Sequence, residues 1–263
     1  MSRERKLTTS GTVLLTVKSG LARVSLNKPE VKNSLSIDEM TAVGSAVQAA
    51  VDAGARCILI SGEGGAFCAG RDLNGTDPER DDTYDILAHK INPVLEVVRS
   101  CPVPTIAAVA GPALGFGFGL ALACDMTVVA DNAMLGSPFR KIGLVMDSGG
   151  HYYLRERLGR HRAAELIFTG RMLTGREAAA MGLVNRSVGA ADLDDVATLL
   201  AMSIASGPTA AFAASKEILD AGKTYGEMAE HEAVKQAEAM RGTDGKEGLA
   251  AFKARRSPVF IGR

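Results

Sequence analysis

The chain has no surplus of either charge: Lys+Arg and Asp+Glu both number 30, for a formal net charge of +0. A nucleic-acid binder ordinarily carries a basic excess to meet phosphates, so that class is set aside. Cysteine is sparse. Its four positions, Cys57, Cys68, Cys101 and Cys124, form no C-x-x-C pair and show no metal-ligand spacing with histidine. A reduced, cytoplasmic protein with no metal site is expected. The opening MSRERKLTTS has no apolar run, so no secretory signal is expected. There is no G-x-x-x-x-G-K-[ST] phosphate loop, no clean G-x-G-x-x-G opening a helix, and no assembled nucleophilic triad. The longest apolar stretch, Val103 to Cys124, is broken by Pro104, Pro112 and glycines 111, 115, 117 and 119, and Asp125 closes it. It reads as a buried strand, turn and helix, and no membrane partner is expected.

What is present is an α/β pattern in 263 residues, with 29 glycines gathered in short runs. Residues 12–17 and 22–26 are apolar strands parted by Lys18-Ser19-Gly20, a hairpin signal. Ser36 with Glu39 three residues on is a helix-capping pair, and the helix runs to about Ala53 before Gly54 stops it. Strands follow at 56–61, 105–109 and 125–130, with helices at 83–99 and 116–123. A polar segment, Asn74 to Asp82, reads as an exposed and mobile loop. Strand, helix, strand implies right-handed crossovers, and the near-continuous apolar strands imply a parallel sheet covered on both faces. The second half is mostly helical: 148–158, 160–168, 175–181, 191–206, 208–221, 225–240 and 244–253, with one short strand at 184–188.

Two glycine-rich turns each follow a buried strand. One is Gly62-Glu63-Gly64-Gly65-Ala66-Phe67-Cys68-Ala69-Gly70-Arg71-Asp72-Leu73. The other is Ala110-Gly111-Pro112-Ala113-Leu114-Gly115-Phe116-Gly117-Phe118-Gly119, which enters a helix. Small residues permit close backbone approach, and a helix start leaves N–H groups unpaired. Two such amides converging on one oxygen make an oxyanion hole. Tight turns and helix–sheet packing are the plainer use of the same glycines.

These segments resemble the enoyl-CoA hydratase/isomerase (crotonase) superfamily. The first is similar to its G-x-x-x-A-F-x-A-G-x-D-[LI] pattern and the second to V-x-G-x-A-x-G-x-G. Leu26 to Ser36 resembles LNRPExxNAL(S/N), Pro102 to Val109 resembles KPxIAAV, and Pro258 to Gly262 matches RxPxFxG. The resemblance runs from about residue 12 to 262, with the motifs in the family's order. It implies a spiral of repeated ββα units at 1–200 and a helical trimerisation region at 201–263, as a homotrimer or dimer of trimers. It implies an acyl-CoA or enoyl-CoA ligand, with coenzyme A part of the substrate, no tightly bound cofactor, and a place in fatty-acid or lipid metabolism. The oxyanion amides fall on Ala66 and Phe116. Phe67, Cys68 and Ala69 fall on the thioester and pantetheine path, and Lys28 and Val31 at the adenine and phosphate end of CoA. Asp72 falls where it supports the loop and adenine pocket.

The family's hydratases hold water between two glutamates. On this alignment their positions are Gly119 and Phe139, neither able to move a proton. Asp147, in Ile142-Gly143-Leu144-Val145-Met146-Asp147-Ser148-Gly149-Gly150, resembles the acid/base aspartate of G-L-x-P-D-x-G-G in enoyl- and dienoyl-CoA isomerases. The pattern is nearest the single-aspartate isomerases of phenylacetate degradation, although Met146 replaces a proline. One carboxylate suits proton removal and return around a stabilised dienolate, and apolar walls from Phe116, Phe118 and Phe139 would raise its pKa. Asp147 is equally placed to cap the helix that follows. The expected activity is a double-bond shift in an enoyl-CoA. Hydration or another crotonase-type reaction, lyase chemistry included, and acyl-CoA binding without chemistry remain open. His89 and His151 are placed either to meet an acyl group or simply to sit on helix surfaces. Lys253, Arg255 and Arg256 are placed either to meet CoA phosphates or to face water.

Overall fold

The computed structural model describes residues 5–6, 11–74, 76–221 and 224–263. Apart from Arg5 and Lys6, the N-terminal segment read for a signal lies outside them, as does Gly75 of the polar loop. Strands β1 (Arg5–Lys6), β2 (Val13–Lys18) and β3 (Leu21–Leu26) pair antiparallel. Ser19 and Gly20 close the β2–β3 hairpin at φ 52° and 79°, the left-handed pair that a two-residue hairpin turn requires.

From β3 onward the sheet is parallel: β3, β4 (Cys57–Gly62), β5 (Thr105–Val109), β7 (Met126–Ala130) and β10 (Arg186–Val188) lie side by side. All five residues of β5 are buried, as a strand covered on both faces requires. Helix α1 (Ile37–Asp52) begins with the expected reciprocal cap. Ser36 Oγ accepts from the Glu39 N–H at 3.3 Å, and the Ser36 N–H donates to Glu39 at 2.8 Å. Helix α1 covers the sheet with α7 (Leu193–Ala205), whose buried stripe is Leu193, Ala197, Ala201 and Ala205. The expected division at residue 200 thus falls within α7.

Between β4 and β5 the helical stretch is interrupted. A short α2 (Thr83–Asp85) passes into a π-helical turn at Ile86–Ile91 and then α3 (Asn92–Arg99). Pro93 has no N–H to continue an α-helical ladder there. The chain also forms a small second sheet: β6 (Pro112–Leu114) lies in the expected turn, and β8 (Met134–Gly136) and β9 (Leu173–Thr174) lie in segments for which no element is expected. Three-residue strands carry too little periodicity to be seen. Helix α4 (Phe116–Ala123) is buried throughout. Gly159, at φ 76°, kinks α5 (Gly150–Thr169) where the sequence places two helices. After α6 (Gly175–Ala180) come α8 (Thr209–Ala221), α9 (Tyr225–Arg241) and α10 (Thr243–Lys253). Among the described residues no single helix is long and apolar enough to cross a membrane.

A polar node ties α8 to the sheet. The Asp125 carboxylate accepts from the Thr105 N–H at 2.7 Å, the Thr105 hydroxyl at 2.9 Å and Lys216 Nζ at 2.8 Å. Removing the carboxylate strands a buried donor and an ammonium. Asp125→Ala is expected to lower stability by about 2 kcal/mol, read as a fall in the urea midpoint at unchanged slope.

Candidate active site

The two glycine-rich turns are pressed together, backbone against backbone. The Phe67 and Cys68 N–H groups both donate to the Pro112 carbonyl, at 3.1 and 2.9 Å, and the Leu114 N–H returns a bond to the Cys68 carbonyl at 2.9 Å. A side chain has no room at the crossings. A Cβ on Gly111 would stand 2.2 Å from the Gly65 carbonyl oxygen, and one on Gly117 2.2 Å from that of Cys68. Gly70, at φ +103°, would meet the Leu114 oxygen at 2.8 Å and the Phe116 nitrogen at 3.8 Å. Two amides lie in this seam. Phe116 is the first residue of α4, where a helix has no internal acceptor to offer. Ala66 precedes the stitched pair. Among the described residues neither N–H has a backbone acceptor in the turns and loops.

Asn33 holds the Ala66 side of this seam, a role the sequence reading does not assign. It is fully buried. Its Nδ2 donates to the Ala66 carbonyl at 2.8 Å and the Glu63 carbonyl at 3.0 Å, while its Oδ1 accepts from the Lys28 N–H at 2.7 Å. Its backbone sits at φ 56°, which asparagine tolerates better than most residues. An asparagine inside Leu26–Ser36 is the only signal in the sequence.

Asp147 does not cap α5. Gly149 occupies the N-cap position and no side chain caps that helix. The Asp147 carboxylate instead accepts a 2.8 Å hydrogen bond from the Ser148 hydroxyl. Burial pushes its pKa above the usual aspartate range, against the opposing pull of the Ser148 hydroxyl and the Arg71 guanidinium. Of the expected apolar walls, Phe116 and Phe118 have their rings in the core. Phe139 is half-buried, its ring 3.9 Å from where a Cβ on Gly115 would stand.

The remaining candidates divide. Phe67 and Cys68 are fully buried, and burial raises the Cys68 thiol to about 12. Their side chains fill the core, which leaves backbone to meet a ligand; Ala69 is half-buried. Val31 is exposed on a 3-10 turn, Pro29–Val31. Lys28 Nζ is held 2.9 Å from Glu39, the residue that caps α1. Asp72 accepts from the Asn74 N–H at 2.9 Å and so shapes its own loop. His89 is exposed and bonded to Asp85, and His151 is exposed in the first turn of α5. Arg256 is engaged by Glu247 at 2.6 Å. Among the described residues no group of three or more His, Cys, Asp or Glu is arranged to hold a metal.

Residues 16–263 match the family model described as enoyl-CoA hydratase/isomerase. The chain belongs to the enoyl-CoA hydratase/isomerase family. A Rhodobacter capsulatus protein named "Probable enoyl-CoA hydratase" is 36% identical over 254 residues, covering 96% of this chain and 98% of that one. The 1,2-epoxyphenylacetyl-CoA isomerase of Escherichia coli is 34% identical over 259 residues, covering 95% and 98%. A crystal structure of enoyl-CoA hydratase from Bacillus anthracis superposes with a TM-score of 0.87 at 30% identity, over 96% of this chain and 100% of that one. The repeated β–α units and the helical C-terminal region are the crotonase architecture. Family membership makes this an enzyme fold for acyl-CoA chemistry, and hydratase and isomerase stand side by side among its relatives.

Asn33→Asp keeps the acceptor for Lys28 but faces the Ala66 carbonyl with a carboxylate. Its kcat on an acyl-CoA substrate is expected to fall on the order of tenfold to hundredfold, with KM little changed. An unaltered kcat in steady-state kinetics counts against Asn33 as the support of that amide.

Proposed function

We propose that this family member is an isomerase that shifts a double bond in an enoyl-CoA thioester, or in a related ring-bearing acyl-CoA. The observation that carries the reading is Asp147: a half-buried carboxylate whose pKa is raised by desolvation, bonded to Ser148 and making no cap on the helix that follows. Gly119 and Phe139 stand where the family's hydratases have their glutamates. In this reading Asp147 removes a proton from the carbon beside the thioester, or from its vinylogous position. The electron pair moves into a dienolate whose oxygen accepts from the Ala66 and Phe116 amides. The carboxyl then returns the proton to another carbon. No atom is gained or lost, and no cofactor enters.

Lys28, Val31 and Asp72 are assigned to the CoA end, with the backbone of Phe67, Cys68 and Ala69 along the pantetheine and Phe139 against the acyl group. The helices after residue 200 are assigned to self-association as a trimer or dimer of trimers. Phe252 and Val259 are exposed there, beside a cleft of about 540 Å³ between α8, α9 and α10. A cytoplasmic location is part of the same reading. Hydration is the second reading, and it is supported by the names of the R. capsulatus and B. anthracis relatives.

A panel of enoyl, dienoyl and hydroxyacyl thioesters separates the two. Isomerised 3-enoyl-CoA supports the proposal. Water addition to a 2-enoyl-CoA at comparable rate supports the second reading, and no turnover at all indicates binding without chemistry. Asp147→Asn is expected to lower isomerisation about 10²- to 10⁴-fold while CoA-ester binding persists; unchanged turnover sinks the assignment. The base must be ionised, so kcat/KM should fall as pH drops through the Asp147 pKa. That limb should lie above the ordinary aspartate value of about 4.

A further inference from the structure

Gly119 lies in the first turn of α4, three residues beyond Phe116, and its N–H donates to the Gly115 carbonyl at 3.0 Å. The space where its side chain would stand is filled. A Cβ there would lie 2.2 Å from the Ser148 carbonyl oxygen, 2.7 Å from Ser148 Cβ and 3.1 Å from its carbonyl carbon. Two of these atoms are backbone, so no rotamer change relieves the clash.

Ser148 has nowhere else to go. It is 2% exposed and sits at φ 54°, followed by Gly149 at φ 75°. A Cβ on Gly149 would meet the Tyr153 ring at 2.9 Å, and one on Gly150 would meet the Met146 sulfur at 2.4 Å. The turn carrying Asp147 is therefore wedged between α4 and the start of α5. The Ser148 hydroxyl, in that wedge, donates to the Asp147 carboxylate. A chain of close contacts thus runs from the helix that presents the Phe116 amide, through Gly119 and Ser148, to Asp147.

We propose that Gly119 is a specificity-determining positioning residue: its missing side chain seats Ser148, and Ser148 seats Asp147. The proposal rests on the reading of Asp147 as the proton-moving group. In this chain an acid/base side chain at position 119 and Ser148 in its present seat compete for the same space. In this chain position 119 is closed to a glutamate by occupied space as well as by its identity.

The test is a double-mutant cycle on the full chain with a 3-enoyl-CoA, read by double-bond shift and by deuterium uptake from D2O. Gly119→Ala is expected to lower kcat by about a hundredfold, the cost of a misplacement near 1 Å, with KM little changed. Asp147 is then less buried, so the acid limb of the pH profile moves down toward the ordinary aspartate range. The charged group that acts on it is Arg71, and Ser148 is its hydrogen-bond partner. Adding Gly119→Ala to Asp147→Asn should cost nothing further, because both remove the same function. Additive losses, or a Gly119→Ala enzyme within twofold of the parent, overturn the proposal. So does Gly119→Glu gaining hydration while Asp147-dependent isomerisation persists. Full turnover by Asp147→Asn alone instead sinks the functional reading beneath it. If Gly119→Ala does not fold, Ser148→Gly carries the test: glycine is unstrained at φ 54° and lacks only the side chain. Its kcat should fall, non-additively with Asp147→Asn, and a normal kcat overturns the proposal.

Discussion

The site depends on one constraint, the contact of two main chains with no side chain between them. Gly111 against the Gly65 carbonyl, Gly117 against that of Cys68 and Gly70 against that of Leu114 bring the turns after β4 and β5 to backbone distance. Three cross-turn hydrogen bonds lock that approach. Everything chemical follows from it. The amides of Ala66 and Phe116 belong to segments that the sheet would otherwise leave at the ends of separate strands. In the proposed reaction these donors are main chain and so cost no reorganisation when charge develops on an oxygen between them.

Side chains then divide into those that hold the seam and those proposed to act in it. Asn33 is fully buried yet satisfied at three bonds, two to the turn that carries Ala66. It fixes one donor. Gly119 and Ser148 link the other donor's helix to Asp147. In the proposed arrangement the carboxylate is placed relative to an amide through the packing of Gly119 on Ser148 and the Ser148 hydroxyl bond to Asp147. Tuning by burial follows from the same wedge, since the close-packed turn keeps water from part of Asp147 and raises its pKa.

Much of this was legible in the sequence, for physical reasons that vary by element. The Ser36–Glu39 cap, the Ser19–Gly20 turn and the fully apolar β5 announce themselves because each is specified by local residues. The family resemblance singles out the two turns, which the structure brings together, and offers Asp147 as the acid/base candidate. It did not give Asn33 a role, because that role exists only when residues 33 and 66 meet in space. Nor could Asp147 be told from a helix cap, since Asp-Ser-Gly-Gly before a helix suits both uses; the left-handed Gly149 at the cap position removes the cap. The resemblance puts Phe67 and Cys68 on the thioester path, and their side chains lie in the core, which leaves their backbone to face a ligand. The small sheet of β6, β8 and β9 escaped because three-residue strands carry no period.

The central claim is that two backbone amides and one carboxylate meet around a single acyl thioester. A crystal structure with an acyl-CoA held as its enolate tests it most directly. The account predicts the thioester oxygen about 2.7–3.1 Å from both the Ala66 and Phe116 nitrogens, with an Asp147 oxygen facing the carbon that loses its proton and Ser148 still seated on Gly119. A thioester oxygen bound elsewhere, or an Asp147 carboxylate turned back onto α5, contradicts it.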